Sequence, residues 1–411
     1  MSAVCARQAL TVAERLLKPD DVIAAVPARA AGSLAHGLAG TALLHARLSA
    51  ADPVFARAAA AHWSRAAVQA KQAGNDGPGT YHSPGGLAAS LIIGTRYLPD
   101  PQSYHDAPAH AARWLSARAL DLAGQHRGYL ADGRVGTPWR VYDAITGLAG
   151  IGRVLLAAVQ SGHDAEPGLL AALGTLTAMA RTRHGARPGW WTPADQHAGN
   201  TQPDPSGMAA TGMAHGIAGP LAFLSLAHLA GYSVAGQDTA ITEAARWLLR
   251  WRTAGTGTWP PSVTGTELDT GAAVPAAGRR DAWCYGTPGI GRSIALAGQA
   301  TGDPVLTGAA SAAITSLAAR PAGQWDVEGP ALCHGYAGVL QSTSAAQAAQ
   351  AVTTLFDPGQ RFGFRHVADQ AATDEPGFLV GAAGIALALA DHGDLPAREV
   401  PARWDALLLL S

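Results

Sequence analysis

Residues 216–231 read GIAGPLAFLSLAHLAG, a segment without one Asp, Glu, Lys or Arg. A helix with no charged face has to be buried on most sides. Its opening, Gly-x-x-Gly, recurs along the chain as GLAG at Gly37, GLAG at Gly147, GTPG at Gly286, GYAG at Gly335 and GAAG at Gly381, with a degenerate GLAA at Gly86. Successive starts from Gly37 lie 49, 61, 69, 70, 49 and 46 residues apart, room each time for two helices and a connection. Between these apolar segments run helices with a polar face, such as PVFARAAAAHWSRAAVQAKQAG (53–74) and ITEAARWLLRWRTAG (241–255). Seven hairpins of one buried and one half-exposed helix are expected. An inner ring wrapped by an outer ring satisfies the alternation, with small residues letting inner backbones approach. A bundle or an open solenoid has the same periodicity.

Composition excludes several classes. Lys plus Arg number 29 against 30 Asp plus Glu, a net charge of -1, so no basic excess calls for nucleic acid. No apolar run reaches the roughly 18 residues of a membrane span, and the charged N-terminal segment does not read as a signal peptide. A cytoplasmic protein is expected, with residues 1–411 as one domain. Three irregular stretches, 184–212, 255–279 and 357–377, interrupt the rhythm, and long loops of this kind are usually functional. The first carries Trp190 and Trp191.

Residues at the same offset from a repeated turn share one height in the fold. Cys284 and Cys333 stand two residues before their glycines; His215, Tyr285, His334 and His36 stand one before. The three cysteines of the chain form no disulfide framework, and Cys5 lies outside the repeats. Cys284, Cys333 and His334 make a candidate Zn2+ site, with three protein ligands leaving the fourth position open as catalytic zinc requires. Ordinary small buried cysteines are the plain alternative. His215, in TGMAHGIAGP, is either a fourth ligand or a general acid/base. Asp143, in VYDAITGLAG, either orients such a histidine or caps the helix after it. Arg280, in GRRDAWCYG, either faces developing negative charge or makes a surface ion pair. The offset assigns His36 no role.

AHGIAG, RDAWCYGTPG and LCHGYAG in that order, with YDAITGLAG upstream, resemble the lanthipeptide cyclases, the LanC-like family, from SLAHGLAG to FLVGAAGIALAL. The resemblance implies an all-α, α,α-toroid of seven inner and seven outer helices with a small irregular or α/β extension, for which 184–212 is the candidate, with Trp190 and Trp191 expected to contact the substrate. It also implies one zinc held by Cys284, Cys333 and His334, with His215, Asp143, Arg280 and Tyr285 around it. The implied reaction is addition of peptide cysteine thiolates to dehydroalanine or dehydrobutyrine, giving thioether rings in a dehydrated, leader-bearing precursor peptide. A separate dehydratase, and a transporter, would be its partners. Addition of glutathione to dehydroamino acids, or a non-catalytic zinc-stabilised scaffold, are the rival expectations. The second repeat departs from the pattern, carrying Ala89 where a closing glycine is expected.

Overall fold

A computed structural model describes residues 1–73, 79–196, 204–253, 257–273, 280–368 and 371–411. Parts of the 184–212 and 255–279 stretches therefore lie outside the described residues. Fourteen principal helices, numbered here in chain order, alternate between two layers. The inner layer is α2 (Leu38–Leu48), α4 (Gly85–Gly94), α6 (Leu148–Gln160), α8 (Ala218–Leu229), α10 (Thr287–Thr301), α12 (Tyr336–Thr343) and α14 (Ala382–His392). The outer layer is α1 (Ser2–Arg15), α3 (Pro53–Ala73), α5 (Asp106–Ala131), α7 (Glu166–Arg181), α9 (Gln237–Arg250), α11 (Pro304–Ala318) and α13 (Ala346–Thr354).

Each inner helix packs on the next, and α14 packs back on α2, so the ring is closed. Helix α1 packs against α14 and supplies the outer helix of the last pair. Sequence patterning explains the layers. Every residue of α2 is buried, whereas α9 buries a stripe of Ala240, Ile241, Ala244, Ala245 and Leu248 and exposes its charged face.

The closing glycine of each motif has a single steric cause. A Cβ at Gly40, Gly150, Gly219, Gly289, Gly338 or Gly384 would collide with the carbonyl of Leu34, Ala144, Met213, Trp283, Leu332 or Phe378 respectively. In each case that carbonyl lies three residues before the opening glycine, where the incoming loop folds over the helix it starts. The second repeat obeys the same rule in another register. Gly85 presses on the carbonyl of Gly79, so the equivalent motif is His82 to Gly85, one turn upstream of the GLAA at Gly86. Ala89 is thus an interior residue of α4, where an alanine is welcome.

These incoming loops form a closed belt of backbone hydrogen bonds at one mouth of the ring. Cys333 N–H donates to Leu379 O at 2.9 Å, Cys284 to Cys333 at 3.1 Å, Ala214 to Cys284 at 3.2 Å and Ala144 to Ala214 at 3.0 Å. Thr80 then donates to Ile145 at 3.2 Å, Ala35 to Tyr81 at 3.0 Å, and Leu379 to Ala35 at 3.0 Å, which completes the circle. Beneath the belt, a 3-10 turn, Trp404–Leu408, and the residues after it fill the axis. Their backbone carbonyls accept from Tyr81 Oη (Leu407, 2.6 Å) in the second repeat and from Trp283 Nε1 (Leu408, 2.8 Å) and Arg292 Nε (Leu410, 3.0 Å) in the fifth.

Small strands lie outside the ring. Arg183–His184 pairs with Arg187–Pro188, and Met208–Ala210 is the middle strand between Trp191–Thr192 and Ser262–Thr264, all antiparallel. The 184–212 stretch therefore shares a sheet with the second irregular stretch. In the third, His366–Ala368 and Ala371–Thr373 make a hairpin. Among the described residues no helix is long and apolar enough to cross a membrane.

Candidate active site

Cys284 and Cys333 are neighbouring members of the belt, so backbone bonds set the spacing of their side chains, and His334 follows on the same turn. One ligand atom from each of the three lies within 4.8 Å of the others, the sole such group of three or more His, Cys, Asp or Glu among the described residues. A tetrahedral zinc ion about 2.3 Å from sulfur and about 2.0 Å from nitrogen needs donors roughly 3.5–4 Å apart. The group is therefore near the required spacing. Its protons point the same way. A hydrogen bond from Cys333 holds the Cys284 thiol down at about 5 against burial, helped by His334. The same bond, burial and the charge on Cys284 push Cys333 up. Two sulfurs, one buried and one half-buried, sharing one proton form a donor set suited to a soft divalent cation.

His215 lies outside that ligand group and is held by other means. Its Nδ1 is 2.6 Å from Asp143 Oδ2. Asp143 is buried, and its other oxygen, Oδ1, accepts from the amides of Ile145 (3.1 Å), Thr146 (2.7 Å) and Gly147 (2.8 Å) at the start of α6. Both readings of Asp143 hold together: one oxygen caps a helix, the other orients an imidazole. Burial opposes charge on His215, but the hydrogen bond and charge of Asp143, with Cys284, outweigh it and raise its pKa above the ordinary 6.5.

Arg280 Nη2 is 2.8 Å from Glu328 Oε1, and Glu328 Oε2 is 3.8 Å from His334 Nε2. The arginine is thus in an ion pair, one built into the wall beside the sulfurs. Burial, with the charges of Cys284 and Asp143, pushes Tyr285 far up, so it is a neutral phenol; its ring centroid is 6.5 Å from that of His215. His36 pairs with Glu375 at 3.2 Å on a rim cavity of about 500 Å³. His366, on the hairpin, lies 5.3 Å from His334 between ring centroids.

Sequence reading passed over Glu328, Trp139 and Tyr142. Trp139 stacks on His215 at 5.2 Å between centroids and 16° between planes, and Tyr142 Oη donates to His215 O at 3.0 Å. Both stand within four residues of Asp143, which is the signal that was present. Trp190 and Trp191 are buried, at 0% and 5% exposure. Trp190 packs edge-on against Trp247 at 5.0 Å, and the Trp191 backbone closes on Gly136. Their indoles are part of the hydrophobic core, which corrects the expectation that they touch substrate.

A closed ring of helix pairs with a Cys2His group and an imidazole–carboxylate pair at one mouth defines a class: α,α-toroids with a metal-capable rim site. The lanthionine synthetase C-like protein family matches residues 30–408, and the chain belongs to that family. The nisin biosynthesis protein NisC of Lactococcus lactis subsp. lactis is 27% identical over 207 residues, 49% of this chain and 48% of that protein. The matched segment thus spans about half of that relative. A nisin cyclase structure superposes with a TM-score of 0.77 at 19% identity, covering 97% of this chain and 96% of the other, which shows the shared fold.

Proposed function

We propose that the protein is a zinc-dependent lanthipeptide cyclase, adding cysteine thiols of a dehydrated precursor peptide to dehydroalanine or dehydrobutyrine to form thioether rings. The observation that carries this reading is a three-donor Cys2His group with an ordered histidine beside it and outside it. Cys284, Cys333 and His334 would hold the zinc, which, when bound, lowers the pKa of a peptide thiol so that the thiolate is available at neutral pH. Two thiolate donors temper the metal's charge and favour a sulfur that stays nucleophilic.

The remaining steps belong to side chains. With Nδ1 engaged by Asp143, Nε2 of His215 is the atom that exchanges a proton with substrate. The peptide sulfur bonds the β-carbon of the dehydro residue as its C=C π bond breaks, and the electron pair passes into an enolate. His215 Nε2 then gives a proton to the α-carbon, so the thiol proton lost and the α-proton gained balance. Tyr285, kept as a phenol, can donate a hydrogen bond to the enolate oxygen, and Arg280, paired with Glu328 and within electrostatic reach of Cys284, adds positive charge near the sulfurs. The dehydro residues must come from a prior dehydration of serine and threonine.

Ring closure leaves peptide mass unchanged, so the test counts free thiols. Zinc-loaded protein incubated with a dehydrated, cysteine-containing peptide should remove iodoacetamide-reactive thiols one for each ring formed. Thiols left fully alkylatable would reject the proposal, and adducts of glutathione mass, when glutathione is supplied, would replace it with the glutathione reaction.

A further inference from the structure

The segment 139–143 touches His215 in three places. Asp143 Oδ2 takes the ring nitrogen at 2.6 Å, Tyr142 Oη takes the backbone carbonyl at 3.0 Å, and Trp139 covers one face of the imidazole at 5.2 Å and 16°. We infer that Trp139 is a positioning residue for His215, fixing the plane of the imidazole so that Nε2 meets the substrate carbon. The role rests on His215 being the proton donor.

A single hydrogen bond at Nδ1 leaves the ring free to swing about that bond. A near-parallel indole removes this freedom, because rotating the imidazole would break the stack and drive ring atoms into the indole. Tyr285 is the more distant ring neighbour of His215, at 6.5 Å and 40°, which leaves Trp139 as the tighter wall. Trp139 is itself held from below. It begins a short helix, Trp139–Tyr142, whose Tyr142 is fully buried. The loop before it is anchored where Gly136, at φ +87°, lies against the Trp191 carbonyl and where Thr137 Oγ1 meets His126 Nδ1 at 3.3 Å. Only a glycine fits this contact and this φ. Trp191 thus serves the site from a distance, as a buttress for the loop that carries Trp139.

The test combines steady-state cyclisation with a double-mutant cycle. Trp139→Ala should lower kcat on the order of tenfold, as a small misplacement of a reacting group does, and leave KM and zinc content within about twofold. Trp139→Phe, which restores a ring face, should recover kcat to within about threefold. In a His215→Ala background, Trp139→Ala should add nothing further. A full additional loss there, or a raised KM with kcat intact, would overturn the inference and make Trp139 a peptide contact. Undiminished activity of His215→Ala alone would remove the proton-donor reading and this role with it. A second readout needs no turnover: the His215 Cε1–H NMR resonance should lose its ring-current shift in Trp139→Ala but keep most of it in Trp139→Phe, and an unmoved resonance in both would also overturn it.

Discussion

The amide of Cys284 donates to the carbonyl of Cys333 at 3.1 Å, so the two sulfurs are held together by the backbone belt, with or without an ion between them. Chelation should therefore leave the helices and the cooperative unfolding transition in place, unlike small domains that fold only around zinc. Circular dichroism before and after dialysis against a chelator checks this; loss of helix would assign the metal a structural part. With one thiol near 5 and its partner raised, zinc binding at pH 7 should release about one proton, measurable by calorimetry in buffers of different ionisation enthalpy.

Asp143 divides its two oxygens between a helix N-terminus and His215, so its removal has two consequences and that of His215 only one. Asp143→Ala should cost about 1–2 kcal/mol in urea unfolding, the usual loss of a cap, and cyclisation as well. His215→Ala should abolish most cyclisation with zinc content retained and stability within about 1 kcal/mol. Equal stability loss in both variants would mean that the His215–Asp143 bond, not the cap, holds the loop.

The ring was legible because its two determinants are local: apolar segments without charge, and Gly-x-x-Gly turns. The donor set was legible for the same reason, since Cys284 and Cys333 keep the offset that makes them adjacent in the belt. The second repeat was misplaced by one turn because the steric need is for a small residue against the Gly79 carbonyl, and Gly85 and Gly86 both look eligible in sequence. Trp190 and Trp191 sit in a Gly- and Pro-rich stretch that reads as an exposed loop, yet Trp190 packs on Trp247 and the sheet that begins at Trp191 runs on to Ser262–Thr264, both from another repeat. Nothing local encodes that pairing. The pairing of Arg280 with Glu328 likewise joins two neighbouring loops, and the segment of Trp404–Leu408 has no repeat signature at all.

Gly338 offers a test of the steric rule at the metal. A Cβ there would strike the Leu332 carbonyl, one residue before Cys333. The loop must shift to relieve it, moving both Cys333 and His334. Gly338→Ala should weaken zinc affinity at least tenfold in chelator competition, although alanine is the better helix former by about 1 kcal/mol. Ala89→Gly, in the repeat whose carbonyl contact falls elsewhere, should leave affinity unchanged and cost about 1 kcal/mol of stability. Unaltered affinity in Gly338→Ala would mean that the belt, not the loop crossing, sets ligand position.

Acid sensitivity should arise far from the site, at His45 and His62. Their rings meet edge to face at 4.9 Å under the end of α1. Nε2 of His45 lies 3.0 Å from Leu16 O and Nε2 of His62 lies 3.2 Å from Leu17 O; carbonyls only accept, so Nε2 of each ring carries a proton, and burial disfavours a second one at Nδ1. Burial, with the neighbouring His62 charge, lowers His45 to about 3, and burial lowers His62 to about 4. Below the ordinary value of 6.5 the unfolded chain takes up these two protons and the folded one does not, so stability is full above that pH and falls as pH drops, until the folded groups titrate near 4 and 3. Two such groups give a slope of up to about 2.7 kcal/mol per pH unit. His215, whose pKa is raised, acts with the opposite sign and only above 6.5, where the folded state keeps a proton that the unfolded chain has lost. Urea unfolding at pH 7.5, 6.5 and 5.5 should show the decline, and replacing both His45 and His62 by Gln should flatten it by most of that amount. A variant with the same slope as the parent would place the acid-sensitive protons elsewhere.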